Sequence, residues 1–120
     1  MTEKQIFDEI IATREHKSFI SGVGLDEHLA SILCYSCCAH IIPKKGHLQL
    51  DFPNKAAREN LLRLNPDNIV LITPHEHFLI DQGTQYQRDA YEKEHNCSFS
   101  KFYEKKEELL LYIKGVLSCS

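Results

Sequence analysis

No stretch of about 18 consecutive apolar residues occurs in the 120-residue chain, so no segment reads as a membrane-spanning helix. The opening residues MTEKQIFDEI lack the basic start and apolar run of a secretory signal and carry acidic side chains instead. The five cysteines, Cys34, Cys37, Cys38, Cys97 and Cys119, are an odd set gathered at CYSCC, which suits free thiols or a metal better than a disulfide framework. These absences lead us to expect a cytoplasmic protein with no membrane partner. Repeats, low-complexity tracts and linkers are missing too, and the length fits a single domain, residues 1–120, with a modest core.

Strong charge of either sign is also lacking. A formal net charge of -3 excludes a protein that coats nucleic acid by charge alone. Its distribution is uneven. Residues 43–67 carry Lys44, Lys45, Lys55, Arg58 and Arg63 against Asp51, Glu59 and Asp67, so this segment holds +2 while the remainder holds -5. A local basic surface and ordinary solvated loop charges both fit this pattern. What the chain has in excess is histidine, seven residues in all. Imidazole is the commonest metal ligand and titrates near neutrality, so the enrichment points to metal or acid–base chemistry.

Three helical regions are legible. Thr2 with Gln5 three residues on forms a capping box, and Ile6, Phe7, Ile10 and Ile11 then share a face, predicting a first helix that ends before Gly22. From near Ser98, the residues Phe99, Phe102, Tyr103, Lys106, Leu110, Ile113 and Leu117 form a stripe predicting a last helix, with Gly115 as its terminator. Between them TQYQRDAYEKEH reads as a surface helix. Strand signals are few: AHII before Pro43 and NIVLI before Thr73 and Pro74, each short, β-branched and bounded by a breaker. Two strands make one hairpin, and NKAARENLLRL in their long connection predicts a short helix capped by Asn54.

The stretch DNIVLITPHEHFLIDQGT, residues 67–84, concentrates the chemistry. Thr73, Pro74 and Glu76 make a capping box with proline at the first helical position, and Gly83 supplies a stop, so a helix from Pro74 to Gln82 is predicted. On it His77 and Asp81 stand four apart and project from one face, while His75 points away into solvent. An imidazole nitrogen and a carboxylate at that spacing can chelate one divalent cation, or form an ordinary hydrogen-bonded surface pair. Upstream, His40 lies at the start of the AHII strand, where a histidine is either a packed residue or a catalytic group.

His40, Asn68 and His77, with AHIIP and DNIVLITPHEHFLIDQG around them, resemble the HNH nucleases, the colicin-type DNases in particular, over about residues 34–84. The resemblance implies a small ββα-metal core, a two-stranded antiparallel hairpin packed on one helix; with the helical flanks 1–33 and 85–120 read from periodicity, which the resemblance leaves unassigned, the expected fold class is α+β. It implies hydrolysis of DNA phosphodiester bonds, duplex or branched, by one metal ion. His40 would be the general base, His77 and Asp81 the metal ligands, and Asn68 a brace for the loop that orients His40. Magnesium or manganese suits a site completed by water and phosphate oxygens, with zinc or nickel as alternatives.

Two features depart from the family pattern. Ala39 stands where many members carry a third metal ligand, leaving His47 or Asp51 as candidates from the connection. Cys34 and Cys37 match the first half of the structural zinc site some members hold, but Thr73 and Glu76 occupy the positions of the second half, which favours plain thiols. Lys44, Lys45, Arg58, Arg63 and Arg88 are candidate phosphate contacts. The acidic remainder of the chain suits a protein partner or a DNA structure that directs cleavage, and the amphipathic last helix can pack on its own core or, in a homodimer, on a second copy. The competing expectation is a catalytically inactive module on the same fold that binds nucleic acid or zinc.

Overall fold

The computed structural model describes residues 1–119, so only Ser120 of the expected C-terminal flank lies outside the described residues. The chain is α+β: the described residues form six α-helices and one two-stranded antiparallel sheet. In order these are α1 (Glu3–Thr13), α2 (Asp26–Leu29), β1 (Cys38–His40), α3 (Lys55–Arg58, continued by a wide helical turn over Glu59–Arg63), β2 (Ile69–Leu71), α4 (Pro74–Asp81), α5 (Gln85–His95) and α6 (Ser100–Ser118). No helix is long and apolar enough to cross a membrane among the described residues.

The sheet explains why NIVLI shows no apolar–polar alternation. Strand side chains alternate between faces, so a strand buried on both sides reads as a continuous apolar run. Val70 and Ile72 turn to one side and join Ala39, Ile41, Leu79, Tyr91 and residues of α6, including Phe102, Leu110 and Ile113. Ile69 and Leu71 turn to the other side and meet Ile6, Phe7 and Ile10 of α1 with Cys37 and Cys38. The two long flanking helices thus cover opposite faces of the hairpin.

Register is Cys38 with Leu71, Ala39 with Val70 and His40 with Ile69. His40 therefore ends β1, where the sequence placed it at a strand start. The ladder stops there because Asn68 captures the next amides. Ile41 N donates to the Asn68 carbonyl at 2.8 Å, and Ile42 N donates to the Asn68 side-chain Oδ1 at 2.7 Å.

Helix starts follow their capping boxes closely. Thr2–Gln5, Thr73–Glu76 and Thr84–Gln87 each make both reciprocal bonds. Asn54 accepts from Ala57 N as expected of a cap, but the helix it starts relaxes into the wide turn after Arg58. Gly115 does not end α6, which runs on to Ser118; a glycine on an exposed helical face costs only about 1 kcal/mol against alanine. Leu109 joins the buried stripe and Tyr103 falls outside it. Helix α2 and the Lys17–Gly24 bridge before it had no clear signal in the sequence.

Candidate functional site

The capping box fixes α4 in phase: Thr73 Oγ1 accepts from Glu76 N at 3.0 Å, and Glu76 Oε1 accepts from Thr73 N at 2.8 Å. At the other end Gly83 packs so tightly on the last turn that an added Cβ would stand 2.6 Å from the Leu79 carbonyl oxygen. Arg88 of α5 reaches back and donates to the carbonyls of Leu79 and Gly83 at 3.0 and 2.8 Å, holding the free carboxyl end of α4.

Held this way, α4 projects His77 and Asp81 together, with Nε2 and Oδ2 3.3 Å apart. The other ring nitrogen, Nδ1, lies 2.8 Å from the Ser36 carbonyl. A carbonyl only accepts, so Nδ1 carries a hydrogen, and in the neutral form of the ring Nε2 turns a lone pair toward Asp81. Two electron-rich atoms at that separation need a cation between them, either a second proton on the ring or a metal ion. Metal bonds of about 2.1 Å at a right angle span about 3 Å between donors, close to the observed gap. A backbone carbonyl that sets the tautomer of a histidine is also the usual support of a metal-bound imidazole.

No third His, Cys, Asp or Glu joins the pair into a metal-holding group among the described residues. The donor set is one nitrogen and one oxygen, which suits an ion that keeps water and takes phosphate oxygens, as magnesium and manganese do. Neither His47 nor Asp51 completes it. Cys34 and Cys37 sit in a single helical turn, and all five thiols are free. Cys37 is fully buried, and burial pushes its thiol up to about 11; Cys38 beside it is pushed up to about 12 for the same reason. Both remain protonated packing groups at neutral pH.

His40 is enclosed, its side chain 8% exposed, with the Phe7 ring of α1 against it. Nε2 donates to the Arg63 carbonyl at 2.9 Å, so the unprotonated nitrogen of the neutral ring is Nδ1. Burial holds the imidazole below its ordinary pKa; the Arg63 bond and Glu3 oppose that, and Lys44 and His77 reinforce it. Glu3 Oε2 lies 3.8 Å from Nε2.

Asn68 is fully buried and ties the ends of the connection together. Besides accepting from Ile42 N, its amide donates to Ile42 O at 2.9 Å and Leu62 O at 3.0 Å. It thereby secures the strand end that bears His40 and the segment whose Arg63 carbonyl accepts the hydrogen bond of His40 Nε2–H.

The five candidate phosphate contacts divide. Lys44 is 3.2 Å from both Glu3 oxygens, Arg63 pairs with Glu59, and Arg88 caps α4. Lys45 and Arg58 instead line an open groove on the connection. His75 is exposed on α4 and contacts the Tyr91 ring.

Sequence reasoning missed the partners that act across the fold. Glu3 beside His40, the carbonyls of Ser36 and Arg63, and Arg14, which donates to the carbonyls of Ile69 and Pro66, leave no local pattern. Glu76 was legible as a cap but not as a fully buried carboxylate that also accepts from Ser18 and Tyr91. Compared with family models, curated proteins and solved structures, the chain finds no match.

Proposed function

We propose that this chain is a metal-dependent endonuclease of the HNH type, hydrolysing DNA phosphodiester bonds on a ββα-metal core spanning about residues 34–84. The observation that carries the reading is the His77–Asp81 pair: an imidazole whose Nδ1 hydrogen is held by the Ser36 carbonyl, with Nε2 3.3 Å from a carboxylate oxygen. A divalent ion held by these two donors would offset negative charge on the scissile phosphate and on the leaving 3' oxygen.

The remaining steps belong to the chain itself. His40 Nδ1 takes the proton of the attacking water, and burial keeps that nitrogen unprotonated at neutral pH. As the ring becomes cationic, its Nε2–H bond to Arg63 O becomes charge-assisted and strengthens, and the Glu3 carboxylate 3.8 Å away favours the same state. Asn68 touches no reacting atom; it is a positioning residue that keeps β1 and the Arg63 carbonyl in one frame.

A second reading draws on the lack of a third protein donor beside His77 and Asp81 among the described residues: an inactive module on the same fold that binds nucleic acid or zinc. The separating experiment incubates supercoiled plasmid with the protein and magnesium, manganese, nickel or zinc. Nicking that is lost in His40→Ala and His77→Ala supports the nuclease; no nicking with any of the four ions overturns it. One tightly held zinc, retained in His77→Ala and released in Cys34→Ala, would identify the module.

A further inference from the structure

The connection between β1 and α3 is a wall of a second concave feature. Together with α3 it encloses an open groove of about 740 Å³. Its rim carries Lys45, Lys55 and Arg58, and no carboxylate lines it. None of these three cations makes an ion pair or side-chain hydrogen bond among the described residues, and the nearby Glu59 carboxylate is held by Arg63. Arg58 Nε is buried without a hydrogen-bond partner, an arrangement folded proteins keep rarely. The floor is apolar: Leu50 and Phe52 are half-buried and rest on the core. Leu48 at the lip is fully exposed, which nothing in the fold itself explains.

We infer that this groove binds a single strand of nucleic acid, its phosphates on Lys45, Lys55 and Arg58 and an unstacked base on Phe52. Cationic rims neutralise the backbone without reading sequence, and an aromatic floor accepts the face of any base. A paired duplex keeps its bases stacked inside and gives the Phe52 and Leu48 surfaces no partner, so the apolar floor favours the single strand.

The groove is also mechanically joined to His40. Arg58 and Arg63 lie on one helical segment, five residues or about 7 Å apart along its axis, and the Arg63 carbonyl accepts the hydrogen bond of His40 Nε2–H. A strand seated in the groove therefore bears on the segment that orients the proposed base. Substrates with unpaired DNA beside the scissile bond, such as branched or flapped forms, follow as the preferred class. This inference rests on the nucleic-acid reading of the site above, but not on its chemistry.

The test is binding of a fluorescein-labelled dT15 oligonucleotide to the full chain, followed by anisotropy in EDTA so that cleavage plays no part. Wild type is expected to bind dT15 more tightly than it binds a 15-base-pair duplex. The Lys45→Ala/Lys55→Ala/Arg58→Ala variant is expected to lower the slope of log K against log salt by about 2, from about 0.7 per phosphate contact. Phe52→Leu is expected to weaken dT15 about tenfold at fixed salt. Should the triple variant not fold, as read by circular dichroism, Lys45→Ala/Lys55→Ala carries the test with a slope change of about 1.4. An unchanged slope, or a duplex bound more tightly than dT15, overturns the groove and leaves the nuclease standing. No plasmid nicking by the wild type with any of the four ions, with dT15 binding intact, overturns the nuclease and leaves the groove.

Discussion

Replacing Asn68 by alanine removes three hydrogen bonds at a site with no exposed surface: one to Ile42 N, one to Ile42 O and one to Leu62 O. Ile42 and Leu62 are themselves fully buried, so water cannot replace the lost partners without opening the connection. An unsatisfied buried backbone group costs about 1–3 kcal/mol. Leu62 O keeps a long bond from Asn65 N at 3.4 Å, which places the total at about 3–5 kcal/mol. Against a stability of roughly 0.05–0.15 kcal/mol per residue, that is a large share of what holds the domain folded. With a urea slope of about 2 kcal/mol per molar, the midpoint should fall by about 2 M, followed by far-ultraviolet circular dichroism. Asn68→Asp is the sharper variant. It keeps the acceptor for Ile42 N but turns a carboxylate toward two carbonyl oxygens, and it should be no more stable than Asn68→Ala at neutral pH. A loss under about 1 kcal/mol in the alanine variant, or an aspartate variant as stable as wild type, would refute the clamp.

Other outcomes follow from the same geometry. In ¹⁵N spectra of the metal-free protein above the histidine range, His77 should be the Nδ1–H tautomer and His40 the Nε2–H tautomer; the reverse assignment of either ring removes the basis of its proposed role. The two best-defined histidine shifts have opposite signs: burial lowers His40, whereas the bond to the Ile11 carbonyl and then the Asp26 side chain raise His16. In a proton titration His16 should therefore charge first as pH falls. Because the base acts unprotonated, nicking should persist into pH values where an ordinary histidine is already charged. Gly83→Ala must displace the Leu79 carbonyl and should cost about 2 kcal/mol or more in a thermal melt. Arg88→Ala, which frees the Gly83 carbonyl and leaves that of Leu79 with its bond from Gly83 N, should cost about 1–2 kcal/mol.

The parts legible in the sequence are those decided by neighbours along the chain. Thr73, Pro74 and Glu76 fix the start of α4 to the residue, because a capping box is written within four positions. The same locality makes Thr2 and Asn54 readable as caps. The end of β1 was misplaced because it is set by Asn68, about thirty residues downstream, whose carbonyl and side chain take the Ile41 and Ile42 amides. Glu3 illustrates the limit more sharply. In the sequence it is an ordinary first-turn acid; only the packing of α1 over the hairpin brings it to His40 and Lys44. Backbone carbonyls such as those of Ser36 and Arg63 carry no residue-specific signal at all, yet they decide which nitrogen of each histidine is free.

The buried Glu76 carboxylate sets a boundary on what can be cut away. Its oxygens are satisfied by Ser18 from the segment after α1, by the Thr73 amide and by the Tyr91 hydroxyl of α5. A fragment trimmed to residues 34–84 would retain that carboxylate and lose two of its three partners. The same cut strips away α1, α5 and α6, whose apolar side chains cover both faces of the hairpin. The smallest transplantable unit is thus not the hairpin and its helix but a piece reaching from before Ser18 to beyond Tyr91. Both flanks belong to the foundation of the site, so they cannot be exchanged like interchangeable adaptors without rebuilding it.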